Sequence, residues 1–284
     1  MKEESNKKEP TIYVVPTPIG NLEDITLRAI NTLKAVEVIF AEDTRTTSIL
    51  LKHYEINKKL ISNHLYNEEK MTNKIIEYLK EGKSVAIVSD AGTPVISDPG
   101  YIVINEAIKQ GYNVTCLPGP TAIIPAVVMS GLAGGPFTFY GFLNSKESKR
   151  KKELEKLQND KYPIVFYEAP HRLEKTIYNL KEIFGNREVA IIREISKKYE
   201  ETIRGNLESI IEKIENIKGE IVIVVEGNKE HEKYDAISIK EHLNLYLKEG
   251  ILPKEAIKIV SKERNIPKSE VYNEYIKTKD EKID

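Results

Sequence analysis

Short apolar runs alternate with amphipathic stretches through the first half of the chain. TIYVVP (11–16), VEVIFA (36–41), VAIV (85–88) and NVTCL (113–117) are brief hydrophobic runs bounded by polar loops. That pattern marks strands buried on both faces. Asp24 stands as the N-cap of a helix reaching about Ala35, and Thr44 to Tyr54 forms the next helix. Met71, Ile75 and Leu79 recur at i, i+4 and i+8, one face of a further helix. Two more helices follow Gly100 and Pro120. Strands alternating with helices predict a mostly parallel sheet covered on both sides.

The pattern restarts after Pro136. FTFYGF, YPIVFYE, REVAIIRE and GEIVIVVEG read as strands, and Leu173, Ile177, Leu180 and Phe184 line one face of a helix between them. The expected fold class is α/β: two α/β domains, 11–134 and 135–230, the second less purely parallel, divided at the GGP of 134–136. Ser145 to Lys156 is very polar and reads as a linker carrying the basic run KRKK (149–152). From 236 to 278 the character changes. SIKE (238–241) is a capping box, Pro253 suits a first helical position, and NIP (265–267) breaks the last two helices apart. Three short helices with a tight turn read as either a helix-turn-helix-like tail or a small capping bundle.

Composition narrows the classes of function. The 284 residues carry 43 basic and 44 acidic side chains, a formal net charge of −1, so any nucleic-acid contact must be a local patch. Cys116 is the single cysteine, which excludes an internal disulfide and a multi-cysteine metal site and fits the cytoplasm. The charged MKEESNKKEP start has no apolar core of a secretory signal. The longest apolar stretch, Ala122 to Ala133, is too short for a membrane span. His53, His64, His171, His231 and His242 show no H-x-x-x-H spacing, so no metal site is expected.

Four loops follow the strands of the first half: PTPIGN (16–21), AEDTRTTS (41–48), SDAGTP (89–94) and PGPT (118–121). In open α/β sheets ligands lie beyond the carboxyl ends of strands, where these loops sit. No G-x-G-x-x-G follows the first strand, no Walker A sequence occurs, and no G-x-S-x-G elbow occurs. Gly92 and Gly119 allow main chain to approach a ligand, and Asp90, directly beyond a strand, suits ribose hydroxyls or a cation.

TPIGNLEDIT (17–26), AEDTR (41–45), SDAGTPVISDPG (89–100), PGPTA (118–122), FYGFL (139–143), FYEAPHRL (166–173) and KGEIVIVV (218–225) occur in that order. The chain thereby resembles the tetrapyrrole methylase superfamily, and within it the branch that methylates small-subunit ribosomal RNA. The resemblance implies S-adenosylmethionine (AdoMet) in a cleft between the two α/β domains. It implies methyl transfer to the 2′-hydroxyl of a decoding-centre cytidine of 16S rRNA in the assembled small subunit, by a cytoplasmic homodimer. By the same resemblance Asp90, Gly92 and Thr93 wrap the cofactor, with Thr121 and Ala122, Pro18 and Ile19, and from the second domain Tyr167 and Glu220. Ser89 stands where the plainer superfamily pattern has glycine, as in the ribosomal branch. The rival readings are a superfamily enzyme with a porphyrinoid or protein acceptor, and a non-catalytic ribosome-binding protein.

A ribose hydroxyl is a weak acid, and a base within hydrogen-bond reach would assist its attack. The candidates are Asp43, Glu168, His171 and Glu194. Asp43, Glu168 and Glu194 are each matched by an equally simple ion-pair reading: Asp43 with Arg45, Glu168 with Arg172, Glu194 with Lys197 or Lys198. For RNA phosphates the candidates are Arg45, Arg172 and the run Lys149, Arg150, Lys151 and Lys152, which reads equally as a solvated linker face.

Overall fold

The computed structural model describes residues 9–64, 67–96, 98–229, 234, 237–264 and 266–280. The amino-terminal segment, Ser97 of the SDAGTPVISDPG stretch, His231 and Asn265 of the NIP break lie outside them.

The first sheet has the order β3-β2-β4-β1-β5, with every pairing parallel. Its strands are β1 (Thr11–Val14), β2 (Val38–Ala41), β3 (Lys59–Ser62), β4 (Val85–Val88) and β5 (Asn113–Cys116). Alternation assigns each face. Ile12, Val38, Phe40, Val85 and Ile87 point to one core with α3 (Glu68–Lys80) and α4 (Tyr101–Lys109). Val15, Ile39, Ala41, Ala86 and Val88 point to the other with α1 (Leu27–Ala35) and α2 (Thr44–His53). Asp24 is not the N-cap of α1. It closes a 3-10 turn (Leu22–Asp24), and Thr26 caps the helix by accepting from Ala29 N at 3.0 Å.

The second sheet is mixed, with the order β6-β7-β10-β8-β9. Its strands are β6 (Thr138–Phe142), β7 (Ile164–Glu168), β8 (Glu188–Arg193), β9 (Glu201–Asn206) and β10 (Ile221–Val225). Only β6 and β7 run parallel. One face packs on α6 (Glu147–Leu157) and α7 (Pro170–Phe184). The other packs on α5 (Ile123–Ser130), whose Ala126 and Val127 meet Val165, Ala190, Ile192, Val222 and Val224. The core therefore changes between β5 and α5, upstream of the GGP at 134–136. Arg204, in β9, donates to the carbonyls of Met129 and Ser130 and so closes the last turn of α5.

Two strands escaped the hydrophobic pattern. β3 and β9 are each an edge strand of their sheet, and KLIS and ETIRGN carry no buried apolar run. The polar stretch expected to be a linker is the helix α6. Arg150 within it is buried at 2% exposure. Its guanidinium donates to Asn179 Oδ1 at 2.7 Å and to the carbonyls of Asn144 and Ser145. Lys151 pairs with Glu147 and Glu182, while Lys149 and Lys152 face solvent. The basic run is thus one structural arginine, one paired lysine and two exposed lysines, and Arg150 is not available to RNA.

The tail is three helices, α8 (Ile239–Lys248), α9 (Pro253–Glu263) and α10 (Lys268–Asp280), around Leu243, Ala256, Ile257, Val260 and Val271. The Ser238–Glu241 capping box opens α8. His242 is fully buried, stacked on Tyr234 at 3.6 Å; its Nε2 lies 3.0 Å from Glu263, and Arg264 Nε donates to its Nδ1. Burial and Arg264 hold this imidazole below its usual pKa. Among the described residues no helix is long and apolar enough to cross a membrane.

Removing the Arg150 fork leaves Asn179 Oδ1 without its donor inside the protein. Arg150→Ala is expected to cost about 2–3 kcal/mol in urea unfolding, against less than about 0.5 kcal/mol for Lys149→Ala or Lys152→Ala. Equal midpoints for the three variants would show that the fork holds nothing.

Candidate functional site

A cavity of about 650 Å³ opens where the carboxyl ends of the first sheet meet the second. Its volume lies in the range of small-molecule sites. Hydrogen bonds draw three of the loops into one wall. Thr17 and Gly92 exchange backbone bonds at 2.9 Å, Thr17 Oγ1 donates to Ser89 O at 3.1 Å, and Thr93 Oγ1 donates to Pro120 O at 3.2 Å. Gly92 has φ +78°, which disfavours any side chain, and a Cβ on Gly119 would lie 2.7 Å from Pro16 Cβ. Close approach of main chain is thus built into the wall. The fourth loop joins when Asp43 N donates to Asp90 Oδ1 at 3.1 Å.

Ile19, Asp90, Gly92, Thr93, Thr121, Ala122, Tyr167 and Glu220 all line this cavity, whereas Pro18 does not. Ile123, Ile195, Ile221 and Val222 add apolar surface. Tyr167 is held edge-on by Phe139 at 5.1 Å, and burial with the nearby Asp98 carboxylate pushes its phenol up to about 12.

Glu42 and Asp98 also line the cavity, and neither stood out in the sequence as a site residue. Burial first, and neighbouring carboxylates second, raise Asp98 to about 6. Glu42 and Asp90 are raised as well, chiefly by burial. The signal for Glu42 was present. In AEDTR, the Asp before a helical stretch is an N-cap, which leaves the preceding Glu to face the strand end. For Asp98 no local signal existed, because a loop places it beside Glu42 across the chain.

The expected bases are engaged in other work. Asp43 caps α2 through Arg45 N at 2.8 Å and pairs with the Arg45 guanidinium, which holds it down at about 2. Glu168 lines the cavity, but its buried carboxylate accepts from Thr176 at 2.5 Å and from Ala169 N, and lies 3.1 Å from Arg172 Nε. His171 faces a separate groove with Glu174, Ile211 and Lys218. Glu194 is lowered by the Glu220 backbone N–H and by Lys197. Of the RNA candidates, Arg172 ties β7 to Leu143 O at 2.6 Å, and Arg45 is 89% exposed on its pair with Asp43.

Residues 11–211 match the family model described as Tetrapyrrole (Corrin/Porphyrin) Methylases. The chain belongs to the tetrapyrrole methylase family. It is 48% identical over 272 residues, 93% of each chain, to a Bacillus subtilis protein named ribosomal RNA small subunit methyltransferase I. A Thermotoga maritima protein of the same name is 47% identical over 220 residues, covering 77% of this chain and 99% of that one. Among solved structures, a cobalt precorrin-4 methyltransferase of cobalamin biosynthesis superposes with a TM-score of 0.60 at 15% identity, covering 79% of this chain and 98% of that one. A Thermus thermophilus uroporphyrin-III C-methyltransferase complexed with S-adenyl homocysteine gives 0.55 at 16% identity, covering 76% and 97%. At these identities the superpositions show a shared tetrapyrrole methylase fold.

Asp98 binds its proton more tightly in the folded chain than in the unfolded one. Its contribution to stability is therefore full below about pH 4 and is lost as pH rises through about 6. Asp98→Asn is expected to stabilise the protein at about pH 8 by roughly 1 kcal/mol, discounted for partial solvation, with the difference vanishing near pH 4. Urea unfolding at the two pH values checks this, and a gain of the same size at both would refute it.

Proposed function

We propose that this chain is an AdoMet-dependent methyltransferase that modifies ribosomal RNA of the small subunit at a cytidine 2′-hydroxyl, with the assembled subunit as substrate. The observation that carries the reading is the cavity itself. Loops rich in glycine and carboxylate from the first sheet face an apolar and aromatic wall from the second, in a chain nearly half identical to relatives named for small-subunit rRNA methylation. The residues present fit the cofactor. Ile19, Ala122 and Val222 offer apolar surface for an adenine, Gly92 leaves room that a Cβ would take, and Asp90, Glu42 and Glu220 offer carboxylates for ribose hydroxyls and positive charge. AdoMet supplies, when bound, an electrophilic methyl on a sulfonium.

The chain's own work is to position and to manage a proton. Asp98 is the carboxyl best suited to accept the 2′-hydroxyl proton. It lines the cavity, and of the carboxylates there it is the one lifted to about 6, close enough to neutrality to take a proton and release it. Asp43, Glu168 and Glu194 are held as ion-pair or capping groups. Lys149, Lys152 and the exposed Arg45 remain as phosphate contacts. A homodimer in the cytoplasm belongs to the same reading, with the exposed apolar side chains Tyr101 and Ile108 of α4 and Ile124 and Val128 of α5 as the surface for the second copy.

The direct test is transfer of labelled methyl from AdoMet to small subunits lacking the modification, with free rRNA alongside. Label at a cytidine 2′-oxygen, mapped by resistance to alkaline cleavage and seen with subunits but not free RNA, is the expected result. AdoMet binding without transfer would return the acceptor to the wider family. Asp90→Ala is expected to weaken AdoMet about tenfold or more in calorimetry, the scale of a charge-assisted hydrogen bond. Asp98→Asn is expected to lower kcat by about 10²–10⁴-fold at saturating AdoMet. Measured as kcat/KM for AdoMet, which reports the empty site, the wild-type profile should climb through about pH 6 and then level. A flat profile from pH 5 to 8 would remove Asp98 from proton transfer.

A further inference from the structure

The FYGFL stretch (139–143) has a geometry unusual for a strand. β6 pairs in parallel with β7, but the register slips between Phe139 and Gly141, so one extra residue is inserted. Gly141 takes φ +87° and is buried, a conformation that a side chain would strain. The bulge re-aims the next side chain. Phe142 comes opposite Tyr167, at a ring-centroid distance of 5.4 Å and a tilt of 55°. It lines the cavity and yet remains 56% exposed. Its ring is a wall of the site that the protein core does not cover.

The platform is rigid. Tyr167 is fixed from its other side by Phe139. The next residue, Leu143, is buried at 2% exposure, and its carbonyl is held by Arg172 at 2.6 Å. The first half supplies Ile96, also 51% exposed and also a lining residue, directly after Val95 with φ +77°. A strained backbone in one half and a bulge in the other each present an apolar side chain to the same cavity. Single exposed hydrophobics are ordinary on protein surfaces. Here two of them, each beside an irregular backbone, line one and the same cavity.

Resting on the proposed reading of the site, we infer that Phe142 is the stacking platform for the base of the target nucleotide, flipped out of the RNA, with Ile96 bounding the opposite side. A nucleotide drawn out of its stack can carry its sugar into a cavity, as enzymes that act on bases do with the base itself. Stacking on an aromatic holds the base irrespective of its identity, while the ribose points inward to Asp98. The platform positions substrate and leaves the cofactor's contacts untouched.

The test uses the full chain, AdoMet and unmodified small subunits, with Phe142→Ala, Phe142→Leu and Phe142→Tyr. Base stacking on an aromatic corresponds to about a 10- to 100-fold change in affinity. Phe142→Ala is expected to raise KM for the subunit by that factor with AdoMet affinity and melting temperature unchanged. Phe142→Leu, apolar but not planar, should remain impaired, and Phe142→Tyr should restore the wild-type KM. Wild-type KM in Phe142→Ala, or a Phe142→Leu variant as good as Phe142→Tyr, would overturn the platform while leaving the methyltransferase reading intact. A wild-type protein that binds AdoMet and transfers nothing to subunits would overturn the acceptor and the platform together.

Discussion

The packing of α5 on the second sheet is the contact on which the cavity depends. The helix follows β5 directly in the chain, yet Ala126 and Val127 bury against Val165, Ala190 and Val222 of the other half. The turn that leads into it remains tied to the first half through Thr93 and Pro120. Thr121 and Ala122, at the point of crossing, are cavity walls. Loss of this packing would uncover one face of the second sheet and at the same time release the loops that shape the site. Lys197 reinforces the join from the opposite side, with its stem packed on Gly20 and its ammonium between Glu194 and Glu220.

Much of this was legible in the sequence because buried parallel strands announce themselves. VIFA, VAIV and IVIVV are apolar on both faces and admit few alternatives. What was not legible was anything determined by the other side of a contact. β3 and β9 are edges whose composition reflects solvent more than sheet. Arg150 looks like its lysine neighbours in a run of four, and only the helix periodicity of α6 turns it inward toward Asn179. A glycine pair marks the expected break between halves, whereas the chain changes core earlier, inside the apolar run that forms α5.

The candidate site divided along the same line. The loop residues inferred from the family motifs, Pro18 apart, converge on one cavity, since each follows the carboxyl end of a strand and the sheet brings those ends together. The acid–base groups are set by contacts across the fold. Asp43, Glu168 and His171 stand out within their motifs, yet a cap and a buried ion pair engage the first two, and a turn of helix carries His171 to a separate groove. Glu42 and Asp98 owe their character to desolvation and to neighbouring carboxylates, Asp90 beside both and Glu42 beside Asp98, which are properties of the folded cavity and absent from any short stretch of sequence.

Asp98, pushed up to about 6 beside the raised carboxyls of Glu42 and Asp90, makes the cavity a place of proton exchange as well as a receptor for positive charge. A cation that settles beside Glu42, Asp90 and Asp98 favours their ionised forms, so its arrival expels protons into the solvent. The coupling runs both ways: acidification refills the carboxyls and drives the cation out. Occupancy of the site is thereby tied to the acidity of its surroundings, and the heat of binding must vary with the ionisation enthalpy of the buffer that takes up the released protons.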